Sequence, residues 1–171
     1  MTQAKYKIEM RQGIYELICV HLPDANGGCI IPATDVHRPQ LQRFIQGFWQ
    51  DCFPDQTITA KNIQSSAQRF IEHKRAFLWQ DAQGRCVSMA AIVRESPLTS
   101  SISGVYTPPA YRGLGHAARV VANLSQAQLD AGKSACNLFT DLDNATSNAI
   151  YTRIGYTQIG QCLRIRLLAS K

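Results

Sequence analysis

A glycine-containing loop that joins a strand-like segment to an amphipathic helix constrains this chain more than any other feature. The loop is RGLGHA at residues 112–117, and the β-branched run before it ends at Thr107. Glycine lets the backbone approach an anion closely, and a helix start presents free N–H groups with roughly +0.5 of dipole charge. Arg112 adds a positive charge. The pattern predicts a loop that holds a diphosphate mainly by main-chain amides, before a helix that begins near Gly113 and stops at Gly132.

The composition is that of a globular protein with an anionic ligand. Of the 171 residues, 45% are hydrophobic and 18% are charged, and this length fits one domain, residues 1–171, around a single core. Eighteen basic residues against 12 acidic ones give a net charge of +6. The basic residues are scattered and no nucleic-acid-binding motif accompanies them, so we expect a phosphorylated ligand and no nucleic acid.

The sequence contains no signal peptide pattern and no apolar stretch long enough to span a membrane, which leads us to expect a cytoplasmic protein without a membrane partner. The cysteines are dispersed, and we expect buried thiols in a reducing compartment. They are Cys19, Cys29, Cys52, Cys86, Cys136 and Cys162. His21, His37 and His73 lack metal-ligand spacing, so no metal is expected.

Turn and capping residues divide the chain into a series of strands and helices. A hairpin is predicted from residues 13–20 and 29–31, followed by a helix that ends at Cys52 and a second helix capped by Thr59. A second hairpin turns at residues 81–84. Strands are then predicted over residues 101–107, 135–140 and 162–168, with a short helix over residues 144–154. This order predicts an α/β (α+β) fold with a mixed sheet and helices on both faces.

The short helix after Asp141 carries a second motif. Asn144 is placed to cap it, and Gly155 to end it. Ser147 and Tyr151 are four residues apart, so they lie on one face of the helix.

With these two motifs the chain resembles the GNAT superfamily of acyl-CoA-dependent N-acetyltransferases. The loop fits the pattern Gln/Arg-x-x-Gly-x-Gly/Ala, and the later helix fits Asn-x-x-Ser/Ala-x-x-x-Tyr-x-x-x-Gly-Phe/Tyr, which ends here at Tyr156. The resemblance covers residues 77–168, and residues 105–113 look like the branch that includes the C-terminal half of glycine N-acyltransferase. Before residue 75 only the order of elements matches. The resemblance implies a twisted, mostly antiparallel sheet of about six or seven strands.

The resemblance also implies acetyl-CoA as cosubstrate and a role for each motif residue. The backbone around Tyr106 would hold the pantetheine arm, the loop would hold the diphosphate, and the later helix would steady the arm. Tyr151 would be catalytic, as proton donor to the departing thiolate. The implied cofactor-binding residues are Val105, Tyr106, Thr107, Arg112, Gly113, Leu114, Gly115, His116, Ala117, Asn144 and Ser147.

The expected reaction is transfer of an acetyl group to a primary amine of a small molecule, amino acid or peptide, by direct attack in a ternary complex. The glutamate that the family often carries on the strand before the loop is absent, which leaves Glu95 or water as the base. A homodimer is compatible with an N-acetyltransferase of this kind.

Two other functions also agree with parts of the sequence. The first is an acyl-CoA-binding sensor or regulatory module that has lost catalysis, which the missing strand glutamate permits. The second is an NAD-type oxidoreductase, because Gly113, Gly115 and Ala118 also satisfy Gly-x-Gly-x-x-Gly/Ala. That fold needs the glycines directly after the first parallel strand, whereas residues 108–112 intervene here, so it is disfavoured.

Overall fold

A computed structural model describes residues 6–168 of the chain as seven strands and four α-helices. The elements in chain order are β1 (Tyr6–Leu17), β2 (Cys29–Pro32), α1 (Arg38–Cys52), α2 (Ala60–Glu72), β3 (Ala76–Gln80), β4 (Cys86–Glu95), β5 (Thr99–Tyr106), α3 (His116–Asp130), β6 (Ala135–Asp141), α4 (Ala145–Arg153) and β7 (Thr157–Leu167).

The strands form one mixed sheet in the order β2-β3-β4-β5-β6-β1-β7. Only β5 and β6 are parallel, and every other neighbouring pair is antiparallel. The predicted fold class is therefore confirmed. The predicted first hairpin is wrong, because β1 lies between β6 and β7 while β2 pairs with β3 at the opposite edge.

Helices cover both faces of the sheet. Because side chains alternate along each strand, the strands contribute residues to two separate hydrophobic cores. The first core joins strand residues such as Leu138 to α3 and α4 through Val121 and Ile154. The second joins Leu78 and Met89 to α1 and α2. Helices α3 and α4 therefore lie on one face of the sheet, and α1 and α2 lie on the other.

Local signals place most element ends correctly. Thr59 accepts a hydrogen bond from the N–H of Asn62 at 3.2 Å, as expected of the α2 cap. The second hairpin is also confirmed, with Gly84 at φ +76° in its turn. Helix α3 begins at His116, not near Gly113, and the Leu114 side chain stays exposed.

Burial of the cysteines differs from the expectation. Cys136 is fully buried in β6, whereas Cys19 and Cys29 are exposed and the other three are half-buried. None of the helices within residues 6–168 has the length and hydrophobicity that crossing a bilayer requires. Over the same residues, no three His, Cys, Asp or Glu side chains meet in a way that could hold a metal ion.

Candidate active site

The sheet opens between its two parallel strands. Pairing of β5 with β6 runs from the Thr99 and Ala135 pair to the Ile102 and Leu138 pair and then stops. Residues 103–106 therefore have no partner on the β6 side, and Gly104, at φ +62°, sits where β5 bulges against β4. The result is a cleft whose wall on one side is a free strand edge, able to pair with an extended ligand.

Tyr106 and Thr107 close the end of β5 and are held firmly. The Ser88 hydroxyl donates to the Tyr106 carbonyl at 3.0 Å and lies 2.9 Å from the Thr107 hydroxyl. The Tyr106 ring lies against Phe44 of α1, with ring centroids 5.8 Å apart. Gly47 makes this approach possible, because a Cβ there would stand 2.2 Å from the Tyr106 hydroxyl oxygen. The cleft wall and α1 are thus one packed unit.

Backbone N–H groups without acceptors in the described part of the chain lie in the loop between β5 and α3, beside the cleft. The first N–H at the start of α3 with a backbone acceptor is that of Arg119, which donates to the Gly115 carbonyl at 3.1 Å. The N–H groups of residues 113–118 donate to no group within residues 6–168. Gly113 and Gly115 both adopt φ +78°, the left-handed conformation that glycine tolerates best. This stretch has the free donors that an anion site at a helix start requires.

Arg112, expected to add charge to this loop, points elsewhere. Its Nη2 lies 2.5 Å from the Asp51 carboxylate at the end of α1, and its Nε donates to the Thr107 carbonyl at 2.9 Å. The guanidinium also stacks 5.8 Å from the Tyr106 ring centroid. In this arrangement its charge is neutralised by Asp51, so Arg112 ties the loop to α1.

Arg119 supplies the charge that sequence reasoning missed. Its side chain is only 8% exposed and lies beneath the loop, where Nη1 donates to the Leu114 carbonyl at 2.6 Å and Nε to the Asp24 carbonyl at 2.5 Å. It forms no ion pair with any carboxylate of residues 6–168. Its four-residue spacing from Gly115 was the available signal. Burial, followed by the Arg119 charge, lowers the pKa of the adjoining His116.

Tyr151 of α4 is only 8% exposed and packs in the core that joins α3 and α4 to the sheet. Burial, with a smaller contribution from the Cys52 thiol, raises its pKa well above the usual value. Cys52 is the last residue of α1, which packs on the opposite face of the sheet from α4. Burial and the carboxylates of Asp51 and Asp141 in turn raise the pKa of Cys52 to about 11.

The start of α4 is fixed to the end of β6. The Asn144 side chain accepts from the Ser147 N–H at 3.0 Å, which confirms the predicted cap. Asn148 donates to the Asp141 and Leu142 carbonyls, both at 3.1 Å. In this structure Asn144 therefore serves the helix, while the Ser147 side chain is half-buried on the face shared with Tyr151.

Glu95 is not placed to act as a base in the cleft. It ends β4 and pairs with Ser100, at the end of β5 far from the opening. Its carboxylate lies 3.0 Å from Lys133 and 3.9 Å from Arg75. Of the two bases left open by the sequence, Glu95 or water, Glu95 is engaged here in a surface ion-pair network with Lys133 and Arg75.

Comparison with known proteins bears on this geometry. The family model described as FR47-like protein matches residues 82–165, just under half of the chain. An acetyltransferase of the GNAT family from Novosphingobium aromaticivorans aligns over 95% of this chain and 66% of its own, at 20% identity and a TM-score of 0.67. The chain has the GNAT fold. A GCN5-related N-acetyltransferase from Sphaerobacter thermophilus aligns over 95% of this chain and 53% of its own, at 15% identity and a TM-score of 0.70.

GNAT structures of this kind differ in length from the present chain. The chain spans between half and two thirds of the first solved structures that it matches. A GNAT-family acetyltransferase from Bacillus anthracis is nearer in extent, with 82% of this chain and 86% of that one aligned at 13% identity and a TM-score of 0.66. No curated protein matches the chain. At these identities the likeness is one of fold.

Proposed function

We propose that this chain is an N-acyltransferase that moves the acetyl group of acetyl-CoA to a primary amine of a small molecule, amino acid or peptide. The observation that carries the proposal is the cleft between β5 and β6, with the free amides of residues 113–118 after β5 and with Tyr151 on α4, the helix that follows β6. The FR47-like match over residues 82–165 spans both parts. The fold and this match support acyl transfer in general.

The binding half of the proposal assigns the diphosphate of acetyl-CoA to the loop. Free N–H groups at a helix start, together with the helix dipole, favour a negative charge there. The buried Arg119 adds a positive charge without a carboxylate to neutralise it. The free edge of β5 at residues 103–106 offers backbone groups to the amide-containing pantetheine arm, as an added strand would use them.

The chemical half assigns Tyr151 to the departing sulfur. An ordinary tyrosine, with a pKa of about 10, already gives up its proton to a thiolate of pKa about 8.5 at a cost of roughly 2 kcal/mol. Burial raises the Tyr151 pKa further, which makes complete transfer harder and keeps the phenol neutral at working pH. Tyr151 therefore acts as a hydrogen-bond donor that tightens as negative charge develops on sulfur.

The attacking amine has to lose a proton first. A lysine-like amine of pKa about 10.4 is neutral only about once in 2,500 molecules at pH 7, a cost near 4.6 kcal/mol. With Glu95 engaged elsewhere, water in the cleft takes this proton. Nucleophilic attack then occurs in the ternary complex, so no acyl-enzyme is formed.

Calorimetry with acetyl-CoA and free-thiol release with a panel of primary amines that includes glycine test the proposal. We expect micromolar to millimolar binding and turnover with at least one amine. Turnover of glycine would place the chain in the branch that resembles glycine N-acyltransferase. Tight binding with no turnover on any amine would support the sensor module instead. Binding of NADH without binding of acetyl-CoA would overturn the proposal.

A further inference from the structure

We infer that Asp141 binds the ammonium group of the acceptor, so that the acceptor is a cationic amine whose carbon skeleton lies on Phe139. The inference rests on the proposed function and specifies the substrate class of that same site. It concerns the face of the cleft opposite α3 and α4.

The register of β6 sets the direction of both side chains. Cys136, Leu138 and Thr140 are buried on the face covered by α3 and α4. Side chains alternate along a strand, so Phe139 and Asp141 project to the other face. Phe139 is 43% exposed there, which leaves an uncovered apolar surface beside a carboxylate at the end of the strand.

Asp141 has no cationic partner within residues 6–168, unlike Asp51 and Glu95. Asp51 is paired with Arg112, and Glu95 with Lys133 and Arg75. Asp141 forms no salt bridge within residues 6–168 and accepts only the N–H of Asp143, at 3.1 Å on Oδ1. Its other oxygen is free to accept from an ammonium group. Charge-assisted hydrogen bonds of this kind are the stronger ones in proteins.

The position of Asp141 relative to Tyr151 is fixed by the structure. Asn148 binds the Asp141 carbonyl and lies three residues before Tyr151 on α4, so both residues are on neighbouring positions of one helix face. Pairing of β6 with β5 ends at Leu138, so Asp141 lies on the part of β6 that borders the cleft. Asp141 and α4, the helix that carries Tyr151, are therefore joined at the cleft end of β6.

Asp141→Asn is the decisive variant, with Asp143→Asn as its matched control. The asparagine keeps the size of the side chain and an oxygen for the Asp143 N–H, so the strand end stays intact. Asp143 is exposed, lies two residues away and loses the same charge on substitution. We expect Asp141→Asn to raise the KM for 2-phenylethylamine by about 10- to 100-fold, with kcat and acetyl-CoA affinity little changed. Asp143→Asn should change none of them.

A neutral nucleophile and a direct binding measurement separate the inference from the proposed function. Hydroxylamine is uncharged at pH 7.5, so the kcat/KM for hydroxylamine should fall less than threefold in Asp141→Asn. Equal losses for both acceptors, or no loss for either, would overturn the inference. If no amine is turned over, saturation-transfer NMR still decides it: 2-phenylethylamine should bind more weakly to Asp141→Asn, and 2-phenylethanol equally to both proteins. Unchanged amine binding would refute the role of Asp141.

Discussion

Tyr151 and Tyr156 are two buried phenols close together, and their surroundings give them different roles. Their ring centroids are 6.1 Å apart. The Tyr156 hydroxyl lies 2.9 Å from the hydroxyl of Ser125 in the core beneath α3. The Tyr151 hydroxyl takes part in no hydrogen bond within residues 6–168, although the Tyr151 carbonyl accepts from the Tyr156 N–H at 3.0 Å. One phenol is thus satisfied within the fold, and the other is available to a ligand.

The two tyrosines can be separated by a pair of substitutions. Tyr151→Phe should lower kcat by about 100-fold or more, because a positioned proton donor contributes about that much, while unfolding by urea changes little. Tyr156→Phe should leave kcat within about twofold and cost roughly 1 kcal/mol of stability through the lost bond to Ser125. Equal kcat values for the two variants would remove Tyr151 from the chemistry.

Cys136 should make the free energy of unfolding fall at alkaline pH. Burial raises its thiol pKa to about 11. Above the ordinary thiol pKa the unfolded chain loses this proton while the folded chain keeps it, so stability falls as pH rises from about 9 to 11, by roughly 2–3 kcal/mol in total. In Cys136→Ala the slope of unfolding free energy against pH should be shallower by about 1.4 kcal/mol per unit. Exposed Cys19→Ala should keep the original slope.

At the scale of elements, α1 can approach β5 only because position 47 has no side chain. A Cβ on Gly47 would lie 2.3 Å from Tyr106 Cζ, and the ring is held between Phe44 and Arg112. Gly47→Ala should therefore cost about 1–3 kcal/mol, since overpacking outweighs the gain in helix propensity. In a Tyr106→Ala background the same change should become stabilising by up to about 1 kcal/mol. Urea unfolding of the four proteins measures this; destabilisation in both backgrounds would exclude the contact as the cause.

The second joint between elements is the ion pair of Arg112 with Asp51, which connects the loop before α3 to the end of α1. If the diphosphate competes with Asp51 for Arg112, Asp51→Asn should tighten acetyl-CoA binding by about two- to fivefold, the scale of a half-exposed pair. The gain should shrink at high salt and vanish in Asp51→Asn with Arg112→Ala. Calorimetry that finds no gain would restrict Arg112 to holding α1 in place.

For the molecule as a whole, the length of β1, which lies between β6 and the edge strand β7, divides this side of the sheet into a more stable and a less stable part. Residues 12–16 of β1 pair with both β6 and β7, whereas residues 6–11 pair only with β7. On this two-stranded extension the side chains of Ile8, Leu163 and Ile165 are about half exposed. Isolated two-stranded ribbons are only marginally stable.

Hydrogen exchange should report this division directly. We expect the amides of residues 6–11 and 163–167 to exchange at least about 100-fold faster than those of residues 12–16, because opening the extension leaves the rest of the sheet intact. Mass spectrometry of peptides covering the three segments measures the rates. Equal protection of all three would mean that the extension opens only with global unfolding.

The sequence alone determined the features that depend on a few neighbouring residues. The caps at Thr59 and Asn144, the turn at Gly84 and the glycines of the loop before α3 all act within one turn of backbone, so they were readable without a fold. The order of strands and helices followed from them. The loop and the α4 motif also indicated where a cofactor would be held.

Tertiary structure alone decided what depends on partners far along the chain. Strand pairing inserted β1 between β6 and β7 and removed the expected hairpin, and long-range ion pairs joined Glu95 to Lys133 and Arg112 to Asp51. Packing buried Arg119 beneath the loop, and β5 parted from β6 beyond the Ile102 and Leu138 pair. Such contacts join residues tens of positions apart, and no local propensity encodes which of many possible partners is chosen.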